Sequence, residues 1–146
     1  LVRSYLTKSR VKIKLGLNAK QSRLTASPQQ MGQVFMNLIN NAVESIIGEP
    51  EFQKKVEKTP SHSGEIRIDT YNRNNDLVIQ VKDSGPGITQ KDLKHIFDPF
   101  FTRKKTMGMG VGLSICHGII EDHNGYIIAE NDKDGGAVFT ITLPLK

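Results

Sequence analysis

The chain has 146 residues, enough for one domain that buries roughly two thirds of its unfolded surface without covalent staples. Hydrophobic residues make up 37%, and 20 Lys plus Arg against 15 Asp plus Glu leave a net charge of +5, which suits phosphate-bearing partners without choosing among nucleic acid, nucleotide and lipid. No apolar run approaches the roughly 20 residues of a membrane span, no basic-plus-apolar leader is visible, and the single Cys116 excludes a disulfide scaffold or a cysteine-rich zinc site, so a cytoplasmic location is expected.

The chain opens on Leu1 rather than Met and reads as a piece of a longer protein. Residues 1–10 show no clear period and are expected to be the tail of a preceding helix or linker. The domain itself is expected over 11–146. Residues 11–17 alternate apolar and polar side chains, the period of a half-buried strand. Ser27-Pro28 is a helix start, with Ser as N-cap and Pro at the first helical position, and Gly48 and Pro50 mark its end. At about 100° per residue, Met31, Phe35, Leu38, Ile39, Ala42, Val43 and Ile46 form an apolar arc. Gln33, Asn37, Asn41, Glu44 and Ser45 share the opposite arc.

Residues 49–64 are polar and are expected to form a solvated loop with at most a frayed helical turn. Strands are expected at 65–71 and 77–82, joined by a turn over 72–76, with a further turn at Asp83-Ser84-Gly85-Pro86-Gly87. Thr89 caps a short helix with Asp92 in its first turn. Residues 98–112 are irregular, basic and glycine-rich. A helix over 111–123 ends at Asn124-Gly125, and strands at 126–130 and 137–143 flank a turn. The pattern predicts an α+β fold, a two-layer sandwich with a mixed sheet of about five strands and three helices on one face.

Four stretches carry residues suited to chemistry. Asn37 and Asn41 stand four apart on the polar face of the long helix, and amide oxygens can hold a hydrated Mg²⁺ that takes its remaining ligands from phosphates. Asp83 ends an apolar strand and can accept from an exocyclic amine, while Gly85 and Gly87 let the backbone approach a flat ligand. Phe97, Phe100 and Phe101 adjoin the cations Arg103, Lys104 and Lys105. Gly108, Gly110 and Gly112 run into a helix and offer backbone N–H groups to an anion, without the spacing of a P-loop or of the dinucleotide fingerprint. Taken singly, each stretch has a plain structural reading: a solvent-facing helix surface, a turn, a core edge beside a charge run, a loop. Together they are the parts of one adenine nucleotide site.

In these motifs the chain resembles the catalytic ATP-binding domain of bacterial sensor histidine kinases. That is the Bergerat (GHKL) fold, shared with type II topoisomerases, a heat-shock chaperone and mismatch-repair ATPases. QVFMNLINNAVESI at 33–46 resembles the family's N box, 83–88 the first glycine box, IFDPFFTRK at 96–104 the F box and 108–115 the second glycine box. His123-Asn124-Gly125 and the closing FTITLP are also family-like. The resemblance implies Mg²⁺ and ATP as ligands, with Asn41 on the metal and Asn37 beside it. Asp83 would accept the adenine amine, Gly87 would close over the ring, and Lys104 would reach a phosphate from a short lid. Asn37, Asn41 and Lys104 are thereby the candidate catalytic residues. The remaining nucleotide contacts implied are Ser45, Gly85, Ile88, Phe97, Phe100, Thr102, Arg103, Gly108, Met109, Gly110, Val111, Gly112 and Leu113.

Three positions depart from relatives. Glu44 stands where one subgroup has a cation, Arg103 where nitrogen-regulation-type kinases have Thr, and Ala137 where many relatives have a Ser or Thr that supports the adenine-binding Asp. The family's hydrolases usually carry a Glu four residues before the metal-binding Asn, as the base that activates water. Here that position is Asn37, and an amide takes no proton. This favours phosphoryl transfer over hydrolysis, leaving a GHKL-type ATPase or an anti-sigma-like serine kinase as the alternative. His62, His95, His117 and His123 all lack the family's acceptor context, so the phosphoacceptor is expected on a dimerisation hairpin outside this sequence. The resemblance further implies a homodimeric full-length kinase, a downstream response regulator, and membrane contact only through other regions. This domain alone is expected to be a monomer, and no nucleic acid partner is expected, because aromatics interleave with cations only in the lid.

Overall fold

The computed structural model describes residues 10–59, 61–101 and 112–145. Nine elements follow one another: β1 (Val11–Leu17), α1 (Pro28–Ile47), α2 (Pro50–Lys58), β2 (Gly64–Arg73), β3 (Asp76–Asp83), α3 (Gln90–Leu93), α4 (Gly112–Asp122), β4 (Tyr126–Asn131) and β5 (Ala137–Pro144). The five strands form one sheet in the order β1-β2-β3-β5-β4, with β1 parallel to β2 and every other pairing antiparallel. This is the mixed two-layer α+β arrangement that the pattern predicts.

Helix α1 starts and stops where its sequence directs. Ser27 takes extended backbone angles and its hydroxyl accepts from Gln30 N–H at 3.2 Å, with Pro28 next in line. Val34, Leu38, Ile39, Ala42, Val43 and Ile46 are buried and meet Ile66, Val81, Phe139 and Ile141 of the sheet in a single core. α4 packs antiparallel beside α1. Its Cys116 thiol contacts the Val34 carbonyl at 3.6 Å, and it closes with Asn124 at φ +62 and Gly125 N–H returning to the Ile120 carbonyl.

Two expectations need correction. Residues 50–58 form a regular helix, α2, in place of a solvated loop. Pro50 sits at its start, Glu51 in its first turn and Lys55 and Lys58 in its last, and buried Phe52 anchors it, with Val56 one turn on, packed against the same core. Two apolar residues make too narrow a stripe for a periodicity argument to register. The β2–β3 turn is also tighter than 72–76. Arg73 pairs with Asp76, so only Asn74 and Asn75 bridge the strands, and Asn74 takes φ +57, an angle that Asn tolerates. Among the described residues, no helix is long and apolar enough to cross a membrane. Residues 1–9, and with them most of the expected N-terminal tail, lie outside the described residues.

Candidate functional site

Period-two alternation puts Asp83 on the same face of β3 as Val81 and Ile79, opposite Ile66 of β2. It is therefore an acid at the end of a core-facing row, and it is only 3% exposed. Burial of a carboxylate demands hydrogen-bond donors. Oδ1 accepts from the N–H of Gly85 at 2.8 Å and, more distantly, from that of Ala137 at 3.4 Å. Ala137 thus reaches Asp83 through its backbone.

Asn37, Asn41 and Ser45 repeat every four residues and line one face of α1, all three half-buried. Their ends meet different loops. Asn37 Nδ2 donates to the Gly112 carbonyl at 3.2 Å, where α4 begins. At the other end, a Cβ added to Gly85 would lie 2.7 Å from Ser45 Oγ and 2.9 Å from Asp83 Oδ1. The N-box face of α1 therefore spans, over about 12 Å, from the last glycine of the second glycine box to the first glycine box, with Asn41 between. Glu44, half-buried on the same helix, also has an interaction partner.

The first glycine box continues with Gly87 at φ +83, a backbone region open to glycine, and with buried Ile88. Leu113 is half-buried against the core. In the F box, Phe97 packs edge-on to Phe139, with ring centroids 6.2 Å apart, and against His117 at 5.3 Å. Phe100 is 69% exposed at φ +66. Thr102, Arg103, Lys104, Gly108, Met109, Gly110 and Val111 lie outside the described residues.

The β4–β5 turn, which carries no chemical motif, builds one wall of the site. Asn131 binds the backbone of Ile88, Asp132 binds Lys82 at 2.7 Å, and Gly136 lies against the backbone of Asp83. The hydrogen bond to Asp132 holds the Lys82 ammonium above its ordinary pKa and the Asp132 carboxyl below its own. The one cue in the sequence is the Gly135-Gly136 pair, read only as a turn.

All four histidines are engaged elsewhere. The His62 ring packs on Phe52, His95 pairs with Asp98, His117 pairs with Glu121, and His123 donates from Nδ1 to the Ile119 carbonyl while its Nε2 accepts from Ser27 N–H. Among the described residues, no group of three His, Cys, Asp or Glu side chains could hold a metal ion. The amide oxygen of Asn41 is a hard donor of the kind Mg²⁺ takes.

Comparison with known proteins agrees with this geometry. Residues 26–146 match the family model described as histidine kinase-, DNA gyrase B- and HSP90-like ATPase. The sensor protein FixL of Bradyrhizobium diazoefficiens is 35% identical over 134 residues, covering 92% of this chain and 24% of FixL. The sensor histidine kinase ZraS of Salmonella typhimurium is 34% identical, covering 92% of this chain and 26% of ZraS. The chain thus spans about a quarter of the length of these relatives. The nucleotide-free catalytic domain of histidine kinase ThkA superposes with a TM-score of 0.78 at 31% identity, over 97% of this chain and 84% of that one. The family match covers strands β2 to β5, the N-box helix and both described glycine-box segments, and the chain belongs to the family of histidine kinase-, DNA gyrase B- and HSP90-like ATPases.

Proposed function

We propose that this domain binds ATP with Mg²⁺ and presents the γ-phosphoryl group to a histidine on a separate helical-hairpin domain, the first step of two-component signalling. The observation that carries this reading is the state of Asn37. Its Nδ2 donates to the Gly112 carbonyl at 3.2 Å, so the position where hydrolytic relatives carry a general base holds a neutral amide tied to the backbone. An amide in that position clasps two elements and activates no water. That disfavours a GHKL-type ATPase.

The bound nucleotide would supply the phosphoryl group, and Mg²⁺ would screen its charge. The chain's own residues would do the positioning, which is most of what in-line phosphoryl transfer asks of a protein. Asp83 would accept from the adenine amine. Gly87 would let the backbone lie against the ring, and Asn41 would offer its amide oxygen to the metal. Lys104 and the glycines at 108, 110 and 112 would neutralise the phosphates. The engaged states of His62, His95, His117 and His123 support an acceptor histidine on another domain. ThkA, whose catalytic domain this chain resembles, has been crystallised with the response regulator TrrA, and a response regulator is the downstream partner proposed here. The full-length protein would act as a homodimer in the cytoplasm, with any membrane anchor in other regions.

The test is to mix this domain with a supplied dimerisation-hairpin domain and γ-labelled ATP with Mg²⁺. Acid-labile label on the hairpin, and none on this domain, is expected. Rapid release of free phosphate with no labelled hairpin would overturn the proposal.

A further inference from the structure

Asn131 ends the edge strand β4 and belongs to none of the nucleotide motifs. Its side-chain amide meets the backbone of Ile88 twice: the Ile88 N–H donates to Oδ1 at 2.7 Å, and Nδ2 donates to the Ile88 carbonyl at 2.6 Å. The amide has no freedom to flip. Ile88 presents one donor and one acceptor, and only this orientation satisfies both. The two residues are 43 positions apart in the chain, so the pair ties the first glycine box, which follows the central strand β3, to the edge strand β4. The same Oδ1 stands 2.8 Å from where a Cβ of Gly87 would be.

The loop it holds is seated at its start by Ser84, whose N–H donates to the Glu65 carbonyl and whose hydroxyl accepts from the Glu65 N–H, and at its end by the buried Ile88 side chain. Residues 85–88 lie between β3 and α3, outside both elements. Pro86 has no N–H to give. At the near end, Gly85 N–H is fixed by Asp83 Oδ1; at the far end, Ile88 is fixed by Asn131. Ala137, at the start of β5, also sends its N–H to Asp83 Oδ1 at 3.4 Å, so residues on both sides of the β4–β5 turn touch the two anchors. Gly87 lies between these two anchored points.

We infer that Asn131 is a positioning residue for nucleotide recognition, whose paired bonds to Ile88 set the height of Gly87 over the purine and with it both affinity and base selectivity. This rests on the nucleotide-binding reading above. A ring face is read through contacts that lose about a quarter to a half of their strength over a gap of roughly 0.5–1 Å, so a glycine loop free to drift would bind purines less tightly and with less discrimination.

The experiment combines calorimetry with the non-hydrolysable Mg²⁺ complexes of the ATP and GTP imido analogues and amide exchange at Ile88 in the nucleotide-free protein. The variants are Asn131→Ala, Asn131→Asp and Asn131→Ser. Asn131→Ala is expected to lose about tenfold or more in affinity for the adenine analogue, with a narrower preference over guanine and faster exchange at Ile88. Asn131→Asp keeps the size and the acceptor but turns a carboxylate oxygen onto the Ile88 carbonyl, so it should lose at least as much. Asn131→Ser can make one of the two bonds and should fall between, which keeps the test open if the alanine variant does not fold. Wild-type affinity and selectivity in Asn131→Asp, or unchanged Ile88 exchange in Asn131→Ala, would overturn the inference. If Ile88 exchange quickens while the wild-type domain binds neither analogue, the clamp stands and the nucleotide reading falls instead.

Discussion

Gly136 lies so close beneath Asp83 that a side chain at 136 would collide with the Asp83 carbonyl oxygen, and its backbone sits at φ +87. The turn between β4 and β5 can therefore press against the end of β3 only while residue 136 has no Cβ. That contact brings the N–H of Ala137 toward the buried carboxylate. Gly136→Ala should cost at least about 2 kcal/mol, combining an unfavourable positive φ with a steric shift of the Asp83 backbone. Denaturant unfolding measures it. A variant as stable as the wild type would show that the turn can back away from β3 at no cost.

Asp83 itself separates architecture from recognition. Replacing it with Asn keeps an oxygen for the Gly85 N–H, which Oδ1 now accepts at 2.8 Å, so the loop should survive. The charge is lost, and half of the group facing a ligand becomes a donor. Hydrogen bonds to a charged acceptor contribute roughly 1.5–3 kcal/mol. Asp83→Asn should then bind the adenine imido analogue ten- to a hundredfold more weakly by calorimetry, with near-native melting. Unchanged affinity would remove Asp83 from the adenine site.

The parts of this molecule that were legible in its sequence are those whose cause is local. α1 announces itself through Ser27-Pro28 and a broad apolar stripe, and its bounds match the expectation at both ends. The turn at 83–87 and the Asn37–Asn41 spacing are also contiguous signals. α2 was hidden because its stability comes from Phe52 reaching the core beside Ile46 and Gly64, a tertiary contact that nine mostly polar residues do not advertise. Asn131 was hidden for the same reason: its partner lies 43 residues away. A lone Asn after a strand looks like any other turn residue. Asn37 was visible as a polar residue, but its role as a clasp on Gly112 emerges only when α1 and α4 are packed side by side.

Cys116 offers a check on the α1–α4 interface. It is fully buried against Val34, and desolvation pushes its thiol from 9.0 up to about 11. The folded state thus keeps the proton across a range where the unfolded chain gives it up. Stability from this group is unaffected below about pH 9 and falls as pH rises toward 11, by an upper bound near 3 kcal/mol for a shift of this size. Cys116→Ser, which titrates nowhere in that range, should show a flatter stability profile between pH 9 and 11 by urea unfolding. Parallel profiles for the two proteins would mean that the thiol is not desolvated as the packing requires.

Asn41 tests whether metal and nucleotide are held by separable groups. It stands between Asn37, which is tied to Gly112, and Ser45, which adjoins Gly85, and takes part in neither of those two contacts. Its removal should leave both loops in place. Asn41→Ala should then retain binding of the nucleotide, with adenine still anchored at Asp83, while losing most of the Mg²⁺ dependence of that binding and the transfer of label to a supplied hairpin domain. Calorimetry at fixed nucleotide with Mg²⁺ or EDTA separates the two contributions. A variant whose affinity still rises with Mg²⁺ as steeply as that of the wild type would place the metal on other groups and leave Asn41 as a wall residue.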